Sequence, residues 1–183
     1  MPSGLKCYPL ADFTQGCNMD ISPRFIIHET THWVVNHRMN SALPGYLMLS
    51  SKVMTNALTA LPDEALAQLG VLQARIQAAI EVHLQPKRLY IGRFGHEAGY
   101  SIHFHFIPIY PWVEAMFWND DRYRVLQAFG APDTSLAQTD GAELTLFVWR
   151  EFCERLDPPA IQGPSIDHVI AVLRGEFAVL DLG

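Results

Sequence analysis

The chain has 183 residues, enough for one domain with a core of its own, and its 49% hydrophobic and 17% charged residues exclude a disordered chain. A formal net charge of −6 argues against binding nucleic acid by bulk electrostatics, while leaving room for a local basic site that takes a small phosphate ligand. Three cysteines, Cys7, Cys17 and Cys153, with no C-x-x-C spacing, argue against a disulfide framework and against a compact cysteine zinc knot.

The first 22 residues mix Pro, Gly, Cys and aromatics without a period and read as an irregular arm, with no apolar run of signal-peptide type. No stretch approaches the roughly 18 apolar residues of a membrane span, so a cytoplasmic setting and no membrane partner are expected. FIIHE and THWVVN read as two short strands because β-branched and aromatic residues dominate them. Asn40 to Gly45 is a loop, and YLMLSS is a third strand.

The period then changes. Leu66, Leu69, Leu72, Ile76, Ile80 and Leu84 recur at three- and four-residue steps, which predicts an amphipathic helix from Pro62 to about Leu84. Asp63 and Glu64 face its positive end, and Gln85-Pro86 stops it. RLYIGRF resumes strand character, GHEAG turns, and YSIHFHFI is a strand ended by Pro108. Further helices are expected near Val113 to Phe129, from Ala142 to Leu156 after a loop at Gly130 to Gly141, and after Ser165, whose hydroxyl is placed to cap the last. The fold class is therefore α+β: an antiparallel sheet with one long helix on one face.

Two motifs carry chemistry. His28-Glu29-Thr30-Thr31-His32 matches the H-E-x-x-H of zinc metallopeptidases, which need both histidines one turn apart on a helix. Its flanks, Phe-Ile-Ile and Trp-Val-Val, favour a strand, where the two histidines would stand about 13 Å apart. The pattern is read as an accident, and no metal site is expected. In Ser101-Ile102-His103-Phe104-His105-Phe106-Ile107-Pro108, alternation puts Ser101, His103 and His105 on one face and the apolar residues on the other. A row of polar groups at that spacing suits a phosphate and its substituents.

Reading S-x-H-x-H-x-x-P, with IIHETTHWVVN, PGYLMLSSK, the long helix and RLYIGRF upstream, the chain resembles the histidine triad (HIT) superfamily of nucleotide hydrolases and transferases over about residues 20 to 110. The resemblance implies a HIT-like five-stranded antiparallel sheet with one long helix. It gives a single domain over 1–183, its core at about 20–110, followed by a helical extension at about 111–183. It implies His103 as the nucleophile at the α-phosphate of a nucleotide or dinucleotide, and His105 as a phosphate contact. Ser101 stands at the first triad position, where the family has histidine. Asn36 falls near the position that holds the ribose hydroxyls. The family's polar phosphate ligands before the triad meet Glu97 and Ala98 here, with His96 and Arg93 as sources of positive charge. A homodimer is implied and no cofactor is needed.

The expected function is thus a hydrolase of dinucleoside polyphosphates or nucleoside phosphoramidates, or a nucleotidyl transferase, working through a nucleotidyl-histidine. The alternative is a nucleotide-binding or interaction module that kept the fold and lost turnover, with the zinc metallopeptidase third. Trp112, Phe117 and Trp118 are expected at the seam between sheet and C-terminal helices, and Leu144, Phe147, Val148 and Phe152 in core or dimer packing.

Overall fold

A computed structural model of the protein describes residues 21–94, 99–123 and 141–180. The N-terminal arm with Cys7 and Cys17, His96, Glu97, the far end of the helix expected to reach Phe129, and nearly all of the loop before Gly141 lie outside the described residues. Five strands form one antiparallel sheet: β1 (Ile26–Glu29), β2 (Trp33–His37), β3 (Leu47–Ser51), β4 (Arg88–Gly92) and β5 (His103–Ile109), in the order β1-β2-β3-β5-β4. The long helix α1 (Asp63–Leu84) falls between β3 and β4 in sequence, and α2 (Pro111–Trp118), α3 (Gly141–Trp149) and α4 (Ile166–Leu180) follow the sheet. Element order, strand number and helix α1 are those the sequence predicts.

Alternation along the strands divides the sheet's two faces. On one face Trp33, Val35, Leu47, Leu49 and Phe106 pack with Leu72, Ile76 and Ile80 of α1 and with Val169, Ile170, Leu173 and Phe177 of α4. The Trp33 indole N–H donates to the Ala65 carbonyl over 2.9 Å, tying β2 to α1. Ala65 faces inward and Leu66 is exposed, so the buried stripe of α1 starts one residue earlier than predicted, which keeps it on the 3.6-residue period with Leu69 and Leu72. On the other face Tyr46, Ile107 and Ile109 pack with Val113 and Phe117 of α2 and Leu144, Phe147 and Val148 of α3. The aromatic residues after β5 are indeed the seam between sheet and helices: Phe117 meets Phe147 edge-on at 5.7 Å, and Trp112 meets Phe152 at 5.7 Å.

Several local expectations need correction. Strand β5 runs through Pro108 to Ile109. Pro108 lies beyond Phe106, the last β5 residue paired with β3, so its missing N–H interrupts no ladder bond there while β5 keeps its register with β4. Ser101 precedes β5 rather than standing within it. Helix α2 begins at Pro111, which is pre-set for a first helical position, and ends at Trp118. Helix α3 starts at Gly141 and passes into a π-helical turn, Arg150–Glu154, short of the expected Leu156. The Ser165 hydroxyl accepts from the His168 N–H at 3.2 Å and caps α4 as predicted.

Gly45, with φ +79°, lets the chain turn into β3 where any Cβ would run into Leu84 and approach the Tyr110 hydroxyl. At the β1 edge of the sheet Arg174 of α4 donates to the carbonyls of Pro23, Arg24 and Ile26, holding α4 against the start of β1. The H-E-x-x-H residues form no helix: His28 is in β1, His32 is in the turn before β2, and the His28 ring stacks on Phe177 at 4.9 Å. The zinc-peptidase geometry therefore fails for the reason the flanking residues suggested.

Candidate active site

Strand β5 changes character halfway along one face. Ile107 and Ile109 are covered by α2 and α3, whereas His103 and His105 stand where that cover stops and a cavity of about 950 Å³ opens. Arg38, just after β2, Tyr46, just before β3, and Tyr90 of β4 contribute to its lining, and the connection between β4 and β5 supplies Phe94 and Tyr100. Helix α3 supplies Thr145, Leu146 and Trp149. Among the described lining residues Arg38 is the one permanent cation, and there is no carboxylate. That balance suits an anionic ligand with an aromatic part.

The two histidine rings lie with centroids 5.2 Å apart, inclined at 65°. Nδ1 of His103 is 2.8 Å from the backbone carbonyl of Ser101. A carbonyl only accepts, so Nδ1 carries a proton, and the neutral tautomer that this contact favours is the one with its lone pair on Nε2. Ser101 thus acts on His103 through its main chain. Its side chain does not line the cavity.

His105 is 6% exposed. Burial, helped by the nearby Arg38 charge and by His103, pushes its pKa down to about 3, so the ring is neutral at pH 7. Nδ1 of His105 lies 2.9 Å from the Tyr46 hydroxyl, which accepts from the Arg38 guanidinium at 2.7 Å. Its Nε2 is buried with no partner among the described residues. The Phe94 ring approaches His105 edge-on at 5.2 Å.

Two expected substrate contacts stand elsewhere. Asn36 shares the face of His105, through the cross-strand row Asn36, Met48, His105, but it does not line the cavity. Its Nδ2 donates to the His37 carbonyl at 2.8 Å, and its Oδ1 is buried with no partner among the described residues. Arg93 donates to the Asn56 carbonyl in the connection after β3 and is likewise outside the cavity. In its place Arg38, two residues beyond Asn36, brings the positive charge. Arg38 and Tyr46 were not singled out from the sequence, although strand alternation carried one step past Asn36 and one step before Met48 reaches both.

A second cavity, about 540 Å³, lies between α3 and Arg122-Tyr123. Its charges are engaged with one another: the buried Glu151 carboxylate accepts from Arg122, Tyr123 and Arg155 at 2.6 to 2.8 Å. No group of three or more His, Cys, Asp or Glu among the described residues is arranged to hold a metal ion. No helix among them is long and apolar enough to cross a membrane.

No protein-family model matches the sequence, and no curated protein does. Solved structures do match the fold. A uridylyltransferase is similar over 86% of this chain and 42% of its own, with 16% identity and a TM-score of 0.50, so this chain spans under half of that protein. A zinc-bound histidine triad family protein from Mycobacterium smegmatis is similar over 88% of both chains, with 17% identity and a TM-score of 0.49. A Plasmodium falciparum diadenosine triphosphate hydrolase is similar over 48% of this chain and 63% of its own, with 21% identity and a TM-score of 0.43. At these identities the likeness is one of fold.

Proposed function

We propose that this chain is a histidine-triad-type nucleotide hydrolase or nucleotidyl transferase that reacts at an α-phosphate through a nucleotidyl-His103 intermediate. The observation that carries the reading is the His103 ring, its Nδ1–H held by the Ser101 carbonyl, in a cleft whose described lining has one guanidinium and no carboxylate. The fold shared with a uridylyltransferase supports the same class.

In this reading Nε2 of His103 attacks the α-phosphorus, a P–N bond forms, and the bond to the leaving group breaks with its electron pair going to that group. The ring then bears positive charge. The Ser101 carbonyl, already accepting from Nδ1–H, stabilises it. Water, giving up a proton to solvent, or in transfer a second phosphate, next attacks phosphorus; the P–N bond breaks and its electron pair returns to Nε2. His105 contacts the phosphoryl oxygens, and Arg38 supplies the long-range field that draws an anion into the cleft. The substrate class is dinucleoside polyphosphates, nucleoside phosphoramidates or related adenylyl conjugates. The same reading carries one domain over 1–183, a homodimer and a cytoplasmic setting. Asn36 and Arg93 act in it as supports of the sheet and of the connection after β3. His96 and Glu97, which lie outside the described residues, remain candidate substrate contacts.

The test is the mass of the intact protein after rapid, acid-free quenching with adenosine phosphoramidate or diadenosine polyphosphate. Wild type should gain one adenylyl group and release AMP, and His103→Ala should do neither. Nucleotide binding with no adduct and no release would overturn the enzyme reading and leave a recognition module.

A further inference from the structure

Arg38, Tyr46 and His105 form a hydrogen-bonded line from the cleft wall to the triad. Arg38 Nη1 is 2.7 Å from the Tyr46 oxygen, and that oxygen is 2.9 Å from Nδ1 of His105. A guanidinium has donors and no acceptor, so the phenol oxygen must accept from it. The phenol has a single proton to place. Tyr46 is 1% exposed, and among the described residues its hydroxyl makes no other hydrogen bond. Among the described residues the acceptor within reach is therefore Nδ1 of His105. Burial, partly offset by Arg38, raises the Tyr46 pKa to about 12, so the phenol keeps that proton across the working range.

We infer that Arg38 and Tyr46 are positioning residues that lock His105 in the tautomer with its proton on Nε2. His105 then presents an N–H donor, while His103, whose Nδ1–H is tied to the Ser101 carbonyl, presents a lone pair. The two neighbouring rings are thereby fixed in opposite tautomers by different partners, one a backbone carbonyl and the other a side-chain relay. The buried Nε2 of His105, with no partner among the described residues, is the atom this device prepares. It suits an acceptor oxygen, such as that of a phosphoryl group, and disfavours a ligand donor.

The catalytic consequence rests on the function proposed above, whereas the tautomer itself does not. The deciding measurement is long-range ¹H–¹⁵N correlation of the histidine rings in the ligand-free full chain near pH 7.5. Wild type is compared with Tyr46→Phe and with Arg38→Met, which disturb the relay at different points. The expected result is a His105 protonated at Nε2 in wild type and a mixture, or the Nδ1–H form, in at least one variant. A wild-type His105 protonated at Nδ1, or an Nε2–H form unchanged in both variants, would overturn the inference. If wild type turns over adenosine phosphoramidate, the Tyr46→Phe change should lower kcat about 10- to 100-fold with KM little altered. A wild type without turnover would sink the enzyme reading and leave the tautomer result standing.

Discussion

The backbone carbonyl of Ser101 accepts a 2.8 Å hydrogen bond from Nδ1 of His103. The first position of the motif therefore serves the second through an atom that every residue has, which explains how serine can stand where the resemblance expects histidine. Ser101→Ala should lower kcat/KM with adenosine phosphoramidate by less than about tenfold, against on the order of a thousandfold or more for His103→Ala. A Ser101→Ala loss as large as that of His103→Ala would mean that the hydroxyl itself takes part.

The buried His105 should make the protein acid-sensitive in a defined window. Its folded pKa of about 3 lies below the ordinary histidine value of about 6.5, so the unfolded chain binds the proton first as pH falls. Stability is full above about pH 6.5 and declines toward about pH 3, at up to ~1.4 kcal/mol per pH unit from this group. His37, which burial also pushes down, acts in the same direction as pH falls. Urea unfolding between about pH 6.5 and 4.5 should be less steeply pH-dependent in His105→Asn than in wild type. Parallel slopes would show that His105 does not stay neutral on acidification.

Gly141 opens α3 against the ring of Tyr90, and a Cβ there would collide with that ring. Both residues line the cleft. Gly141→Val should cost about 1–3 kcal/mol, since either the ring or the helix must move. It should also weaken binding of an adenosine phosphoramidate, read by calorimetry. Unchanged stability would mean that α3 does not seat on Tyr90.

Phe147, 1% exposed, is the hub where α2, α3 and the π-helical turn meet, within contact of Phe117, Tyr123 and Phe152. Phe147→Ala should destabilise by about 3–5 kcal/mol. If residues 1–183 are one cooperative domain, tryptophan fluorescence and far-ultraviolet circular dichroism should still report a single coincident transition. Two transitions in the wild type would make the helical extension a separate unit.

What the sequence determined by itself is what depends on near neighbours. A period of two in YSIHFHFI put His103 and His105 on one face, a period near 3.6 from Asp63 to Leu84 drew α1, and β-branched flanks ruled a helix out of His28–His32. What the tertiary structure decided depends on which strands lie side by side. The order β1-β2-β3-β5-β4 sets β3 against β5, and that brings Tyr46, and through it Arg38, to His105 across 59 residues of chain. Asn36 and Arg93, plausible by spacing, were left outside the cleft for the same reason: spacing fixes a face, whereas register and layer order fix the neighbour. Helix α3, with no counterpart in the motif, became a wall of the site because its apolar residues pack with Ile107 and Ile109 on the sheet face opposite α1 and α4. Burial across the whole fold, which no local window contains, chose the cleft's limits.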